Sequence, residues 1–228
     1  MRVWLFSILS LLPLSAAGQS CNDACMARKA EAQWLKAGLA ERMDGRLVVT
    51  AGGRRLVFAD NRKACDAGEA RDCAIYALVA NAPGSLAVQK FEFEGSDTYL
   101  IDLRSGRKTE LDGVPVFSSD GRKFVIAAFS GDSENNLEVW RRTGDGAALE
   151  WAHPFRQSWT EDAALHGDTL ENKWGLAPVF RVTGWQGDRV SLAISTDDQR
   201  HNWTGTLLHD AQGWHLSAKS PPGMFAKR

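Results

Sequence analysis

The sequence predicts a mainly β protein: tandem four-stranded antiparallel units, arranged like propeller blades, behind one N-terminal helix. Three observations lead there. From Arg46 onward, apolar and polar residues alternate with a period of two, in short runs bounded by Gly, Asp and Asn turns. The runs fall into groups of four, and two of the groups repeat each other in order. The long run of helix formers lies before Arg46. Closed propellers typically have about four or more blades, whereas the groups here give roughly three plus a leading hairpin. The body is therefore a small or partial propeller, with a β-sandwich as the alternative.

Residues 1–18 read as a signal peptide. Arg2 supplies a positive start, residues 3–14 form an apolar run too short to span a bilayer, and Ser15-Ala16-Ala17-Gly18 offers small residues for cleavage. The expected mature chain has no membrane span and is periplasmic or secreted. Roughly 210 residues remain, enough for one substantial domain. A formal net charge of −1 argues against nucleic acid as a partner, since no basic excess is present to displace condensed counterions.

Residues 19–45 read as the helical segment. Asn22-Asp23 can cap it, and the run to Met43 lacks Pro and β-branched residues. Trp34, Leu35, Leu39 and Met43 fall near one face, and Asp44-Gly45 supplies a stop. The four cysteines are Cys21, Cys25, Cys65 and Cys73, an even count that in an exported chain favours disulfides. The polar loop "CDAGEARDC" suits a local Cys65–Cys73 bridge, leaving Cys21–Cys25; a crosswise pairing is the alternative. The spacing fits no common zinc pattern.

Residues 46–228 read as the β domain. "RLVVTAGGRRLVFADN" is a hairpin about Gly52-Gly53. "CAIYALVANAP" and "SLAVQKFEFEG" follow as strands, the second needing a bulge near Lys90 to keep Leu86, Val88, Phe91 and Phe93 on one face. "DTYLIDLRSG" and "RKTELDG" pair about Ser105-Gly106. Four strands then cover 114–118, 123–129, 137–142 and 148–153. After a long loop, 157–177, the pattern restarts with "PVFRVTGWQGDRVSLAIS", "NWTGTLLHDAQG" and "WHLSAKS". Pro115-Val116-Phe117 aligns with Pro178-Val179-Phe180, Asp120-Gly121 with Gly187-Asp188, and Ala128-Phe129-Ser130 with Ala193-Ile194-Ser195.

The stretch "YLIDLRSGRKTELDGVPVFSSDGRKFVIAA" carries Asp102-Leu103-Arg104-Ser105-Gly106, then Phe117-Ser118, Asp120-Gly121 and an apolar strand. It resembles the WD40-like β repeat of TolB-type propellers, with Ser119 where that repeat usually has Pro. Phe93-Glu94-Gly95, the run Tyr99 to Leu103 and Pro115 to Gly121 are also similar to a group of uncharacterised exported bacterial proteins. The resemblance implies a propeller-like fold and brings no activity with it.

Candidate chemistry concentrates in the long loop. Trp159, Glu161, Asp162, His166, Asp168 and Trp174 set aromatics beside carboxylates, a combination able to stack on a sugar ring and hydrogen-bond its hydroxyls; Glu171 lies among them. The plainer reading is that the two tryptophans pin the loop down. Other tryptophans (Trp140, Trp151, Trp185, Trp203, Trp214) fall in or beside strands as packing residues. "GDSENN" and "TDDQ" are polar enough for calcium but lack the rest of a calcium loop. His209 and His215 face each other across an expected hairpin. "NWT" at 202–204 matches a glycosylation sequon at a strand start. The sequence has no nucleophile elbow, phosphate loop or dinucleotide fingerprint, so no catalytic residue, metal or cofactor is expected. Two function classes follow: a non-catalytic exported binding or interaction protein, its partner a protein or an envelope glycan, and a hydrolase acting on glycan or ester through the loop acids.

Overall fold

A computed structural model describes residues 17–93, 95–128, 135–144, 146–154, 178–196 and 202–218. It is mainly β. Helix α1 (Ala17–Lys36) leads into a three-stranded sheet, β1 (Glu41–Met43), β2 (Arg46–Ala51) and β3 (Arg54–Ala59). A short helix, α2 (Arg62–Ala67), precedes the second sheet: β4 (Ile75–Ala82), β5 (Ser85–Phe91), β6 (Ser96–Asp102) and β7 (Lys108–Leu111). The third holds β8 (Pro115–Phe117), β9 (Lys123–Ile126), β10 (Asn135–Arg142) and β11 (Ala147–Pro154). The fourth holds β12 (Pro178–Gln186), β13 (Arg189–Thr196), β14 (Asn202–Asp210) and β15 (Gly213–Ala218). Each sheet is an antiparallel meander in which chain neighbours are hydrogen-bonded neighbours. Among the described residues there are four such sheets, against the two of a sandwich.

The sheets stack face to face in chain order, with a core between each pair. Leu47, Val49 and Phe58 of the first sheet pack with Leu78, Leu86, Val88 and Ile101 of the second. Leu100 and Leu111 meet Phe124 and Ile126 across the next gap. Val125, Leu137 and Val139 then meet Phe180, Val190, Leu192, Ile194 and Leu207. Strand β9 shows why these strands read as continuous apolar runs: Phe124 and Ile126 serve one core, and Val125 between them serves the next. The fourth sheet buries one face, and the outer face of the first is largely open, with Met43 and Val57 exposed beside a buried Val48. Among the described residues, no strand pairing or core cluster joins these two sheets to each other.

Several boundaries differ from the sequence reading. Helix α1 stops at Lys36, where Gly38 takes φ +72° and its N–H donates to the Leu35 carbonyl at 3.0 Å. Residues 41–43, expected to be helical, are strand β1. Asp44-Gly45 does not end the helix; both residues have positive φ and form the two-residue turn between β1 and β2. Met43 therefore points outward from a sheet, while Trp34, Leu35 and Leu39 pack on the first core. The irregularity expected at Lys90 lies on the neighbouring strand instead, where the register shifts between Leu78 and Ala80. Strand β5 needs no slip because Leu86, Ala87 and Val88 are all buried, one sheet being covered on both faces.

Cys65 and Cys73 form the disulfide, closing a segment that begins in the last turn of α2. The Cys21–Cys25 bridge is not formed: Cys25 is a free, exposed thiol. Among the described residues no helix is long and apolar enough to cross a membrane.

The recognisable turn residues act as stitches. Asp102 Oδ1 accepts from Ser105 N at 2.7 Å and from Ser105 Oγ at 2.8 Å, shaping the turn that ends in Gly106. That turn lies against the β2–β3 hairpin so closely that a Cβ on Gly52 would sit 2.5 Å from the Ser105 carbonyl oxygen.

Candidate functional site

The six expected ligand-binding residues, Trp159, Glu161, Asp162, His166, Asp168 and Trp174, lie outside the described residues, as does Glu171. So do residues 131–134 of "GDSENN" and residues 197–199 of "TDDQ". The remaining Asn135 and Asn136 serve strand packing: Asn135 Nδ2 donates to Glu138 at 2.8 Å, and Asn136 Oδ1 lies 3.1 Å from His153 Nδ1. His209 and His215 do not face each other. The register pairs His209 with Trp214 and Leu208 with His215, and this offset of one residue puts the two rings on opposite faces of the sheet. Each approaches its own carboxylate, His209 to Asp188 at 3.9 Å and His215 to Asp210 at 3.6 Å. Among the described residues no three His, Cys, Asp or Glu side chains converge as a metal site.

Charged side chains gather instead at two sheet junctions. At the first, α1 crosses the open edge of β4. An edge strand has backbone groups with no ladder partner, and here side chains supply the partners. Glu31, buried at 2 % exposure, accepts from Leu78 N at 3.0 Å. Asp60 accepts from Tyr76 N at 2.8 Å, and Arg42 Nη2 donates to the Tyr76 carbonyl at 2.7 Å. The same groups neutralise one another: Arg42 Nε meets Glu31 at 2.6 Å, and Arg28 pairs with Asp60. This cluster is sealed between helix and sheet.

The second gathering is open. A cleft of about 460 Å³ lies between the third and fourth sheets, lined by residues of the β8–β9 turn, the end of β10 and the β12–β13 turn. Its third-sheet wall carries Ser118, Ser119, Asp120, Arg122, Lys123, Arg141 and Arg142; its fourth-sheet wall carries Trp185, Gly187 and Asp188. The two turns are the pair aligned by the internal repeat. Gly121, at φ +66°, closes the first so tightly that a Cβ there would meet Pro83 Cδ at 2.8 Å. Trp185 Nε1 donates to the Gly187 carbonyl at 2.8 Å, fixing the indole over the second.

Internal hydrogen bonds set the electrostatics of this cleft. Asp120 Oδ1 accepts from Arg122 N at 3.0 Å and from Ser118 Oγ at 2.7 Å, while Oδ2 takes Arg122 Nε at 2.7 Å. Together they hold its carboxyl down to about 2. Glu150 stands behind the third-sheet wall. Burial pushes its carboxyl up, but Trp214 Nε1 at 3.2 Å, Lys123 at 3.1 Å and Arg141 Nε at 2.8 Å outweigh that and leave it below the ordinary glutamate value. Both acids stay ionised at neutral pH, which suits fixed binding charges; an acid–base catalyst works best with a pKa near the operating pH. Lys123 also lies 5.1 Å from the Trp214 ring centroid, a cation–π contact that steadies the wall.

By sequence Trp185 is a strand packing residue and Asp120-Gly121 and Gly187-Asp188 are turns; the structure brings the indole and both turns to this cleft. The alignment of those two turns was the signal that they share one end of the stack. The chain matches no family model, no curated protein and no solved structure.

Proposed function

We propose that the protein is an exported, non-catalytic binding module whose tandem sheets are propeller-like blades. Its partner, a protein or a cell-envelope glycan, is received in the cleft between the third and fourth sheets. The observation that carries this reading is the cleft itself: an indole and Asp188 on one wall and four cations with Asp120 on the other. The meander order of each sheet and the repeated first turns support the blade reading. The Cys65–Cys73 disulfide supports an oxidising compartment, in keeping with a leader at residues 1–18.

Retention of envelope components from the source cells on the immobilised mature protein tests the proposal. A component held by the wild type and released by Arg122→Glu is the expected result. Retention unaffected by Arg122→Glu and by Trp185→Ala, with both variants folded, would remove the cleft from consideration. Turnover of the retained component would overturn the non-catalytic assignment in favour of a hydrolase.

A further inference from the structure

The distribution of donors and acceptors in the cleft narrows the ligand's chemistry. Arg122 and Arg141 each use Nε for a carboxylate, Asp120 at 2.7 Å and Glu150 at 2.8 Å. The carboxylate fixes each guanidinium, and the terminal Nη groups of both have no protein partner among the described residues. Both side chains are exposed, at 83 % and 53 %. The Nη edge of an anchored guanidinium is a ready two-pronged donor for a carboxylate or similar anion. Arg142 adds a cation with no carboxylate partner among the described residues; its Nη1 donates to the carbonyls of Pro83 and Gly121. The third-sheet wall therefore offers unspent positive donors.

The opposite wall offers the complement. Asp188 is 73 % exposed, and His209 Nδ1 stands 3.9 Å from its Oδ1, so its oxygens are largely open to a ligand. On the same wall as Asp188, the half-buried Trp185 ring lines the cleft. An acidic peptide would use the cations but has few hydroxyl donors to satisfy the Asp188 carboxylate. A nucleic acid is disfavoured because the chain carries no basic excess, its net charge being −1. A sugar ring bearing a carboxylate uses all three features: the acid group on the arginines, a ring hydroxyl on Asp188, and the ring face on the indole.

We infer that the cleft binds an acidic glycan, a polymer of carboxylate-bearing sugars, with Arg122 and Arg141 recognising the acid group and Asp188 a hydroxyl. This rests on the binding-module reading above and names its ligand class. Isothermal titration of the mature protein with polygalacturonate, fully methyl-esterified polygalacturonate and poly-glutamate tests it. The expected result is saturable binding of the acid form only, weakened about tenfold or more by Arg122→Gln and again by Arg141→Gln, because each removes a charge-assisted contact. Arg122→Gln touches only an exposed ion pair, so its effect is read on a folded protein, as thermal melting will verify.

Equal binding of the esterified polymer would overturn the inference, and so would tighter binding of poly-glutamate. No binding of any probe, together with cleft-dependent retention of an envelope component that contains no acidic sugar, would overturn the ligand class and leave the binding-module reading standing. No binding together with retention indifferent to both arginines would overturn both.

Discussion

The first and last sheet junctions both concentrate charge, and they use it in opposite ways. At the first, Glu31, Arg42, Asp60 and Arg28 are enclosed between α1 and the second sheet, and three of them hydrogen-bond to backbone groups of β4. At the last, Arg122, Arg141 and Asp188 stand at the mouth of a cleft with hydrogen-bonding capacity to spare. Burial makes the difference. A charge removed from water is costly unless it is paired, so these groups become part of the fold; an exposed charge contributes little to stability and remains available to a ligand. The edges of the later sheets are blunted more simply, since β8 and β12 each begin at a proline, which an edge strand accommodates.

The largest effect is expected from breaking the enclosed cluster. Glu31→Ala leaves Arg42 without its main counter-charge and Leu78 N without an acceptor, and should cost roughly 3–5 kcal/mol in urea unfolding. A double-mutant cycle with Arg42→Ala should show strong coupling, because the two share one network. Next in size is the disulfide beside that junction. Reducing Cys65–Cys73, a loop with a sequence separation of 8, should lower stability by about 2–3 kcal/mol as loop-closure entropy returns to the unfolded chain. Gly121→Ala probes the closing turn of the cleft. It forces a side chain to φ +66° against Pro83 and should cost about 1–3 kcal/mol, seen as a lowered melting temperature.

The cleft has a pH signature of its own. Its acids have folded pKa values below their unfolded ones, so their contribution is complete above the unfolded range and fades as pH falls through the folded value. For Asp120 that loss runs from the ordinary aspartate value of 3.8 down to about 2. Ser118→Ala removes one of its donors and should move the Asp120 midpoint back toward 3.8 in an NMR titration. This is the smallest of the effects, because the group is fully exposed.

The strands and turns were legible because their cause is local. Period-two alternation and turn dipeptides such as Gly52-Gly53 and Asp120-Gly121 locate them wherever they occur. The helix end was misread for the same reason: Asp44-Gly45 is a strong turn signal, and nothing local says whether it stops a helix or joins two strands. The enclosed cluster was illegible. Glu31 in a Lys- and Glu-rich helix reads as a solvated residue, and its burial follows only from the open edge of β4, forty-seven positions away. The cleft was half legible. The repeat aligned its two turns, but Arg141 and Trp185 join them only once the sheets stack.

The division of charge between the two junctions is the central claim, and a paired urea titration of Arg42→Gln and Arg141→Gln tests it most directly. The expected result is a loss of about 3 kcal/mol or more for Arg42→Gln and about 1 kcal/mol or less for Arg141→Gln. Equal losses, or a larger one for Arg141→Gln, would contradict it, for the charges of the cleft would then be holding the fold together.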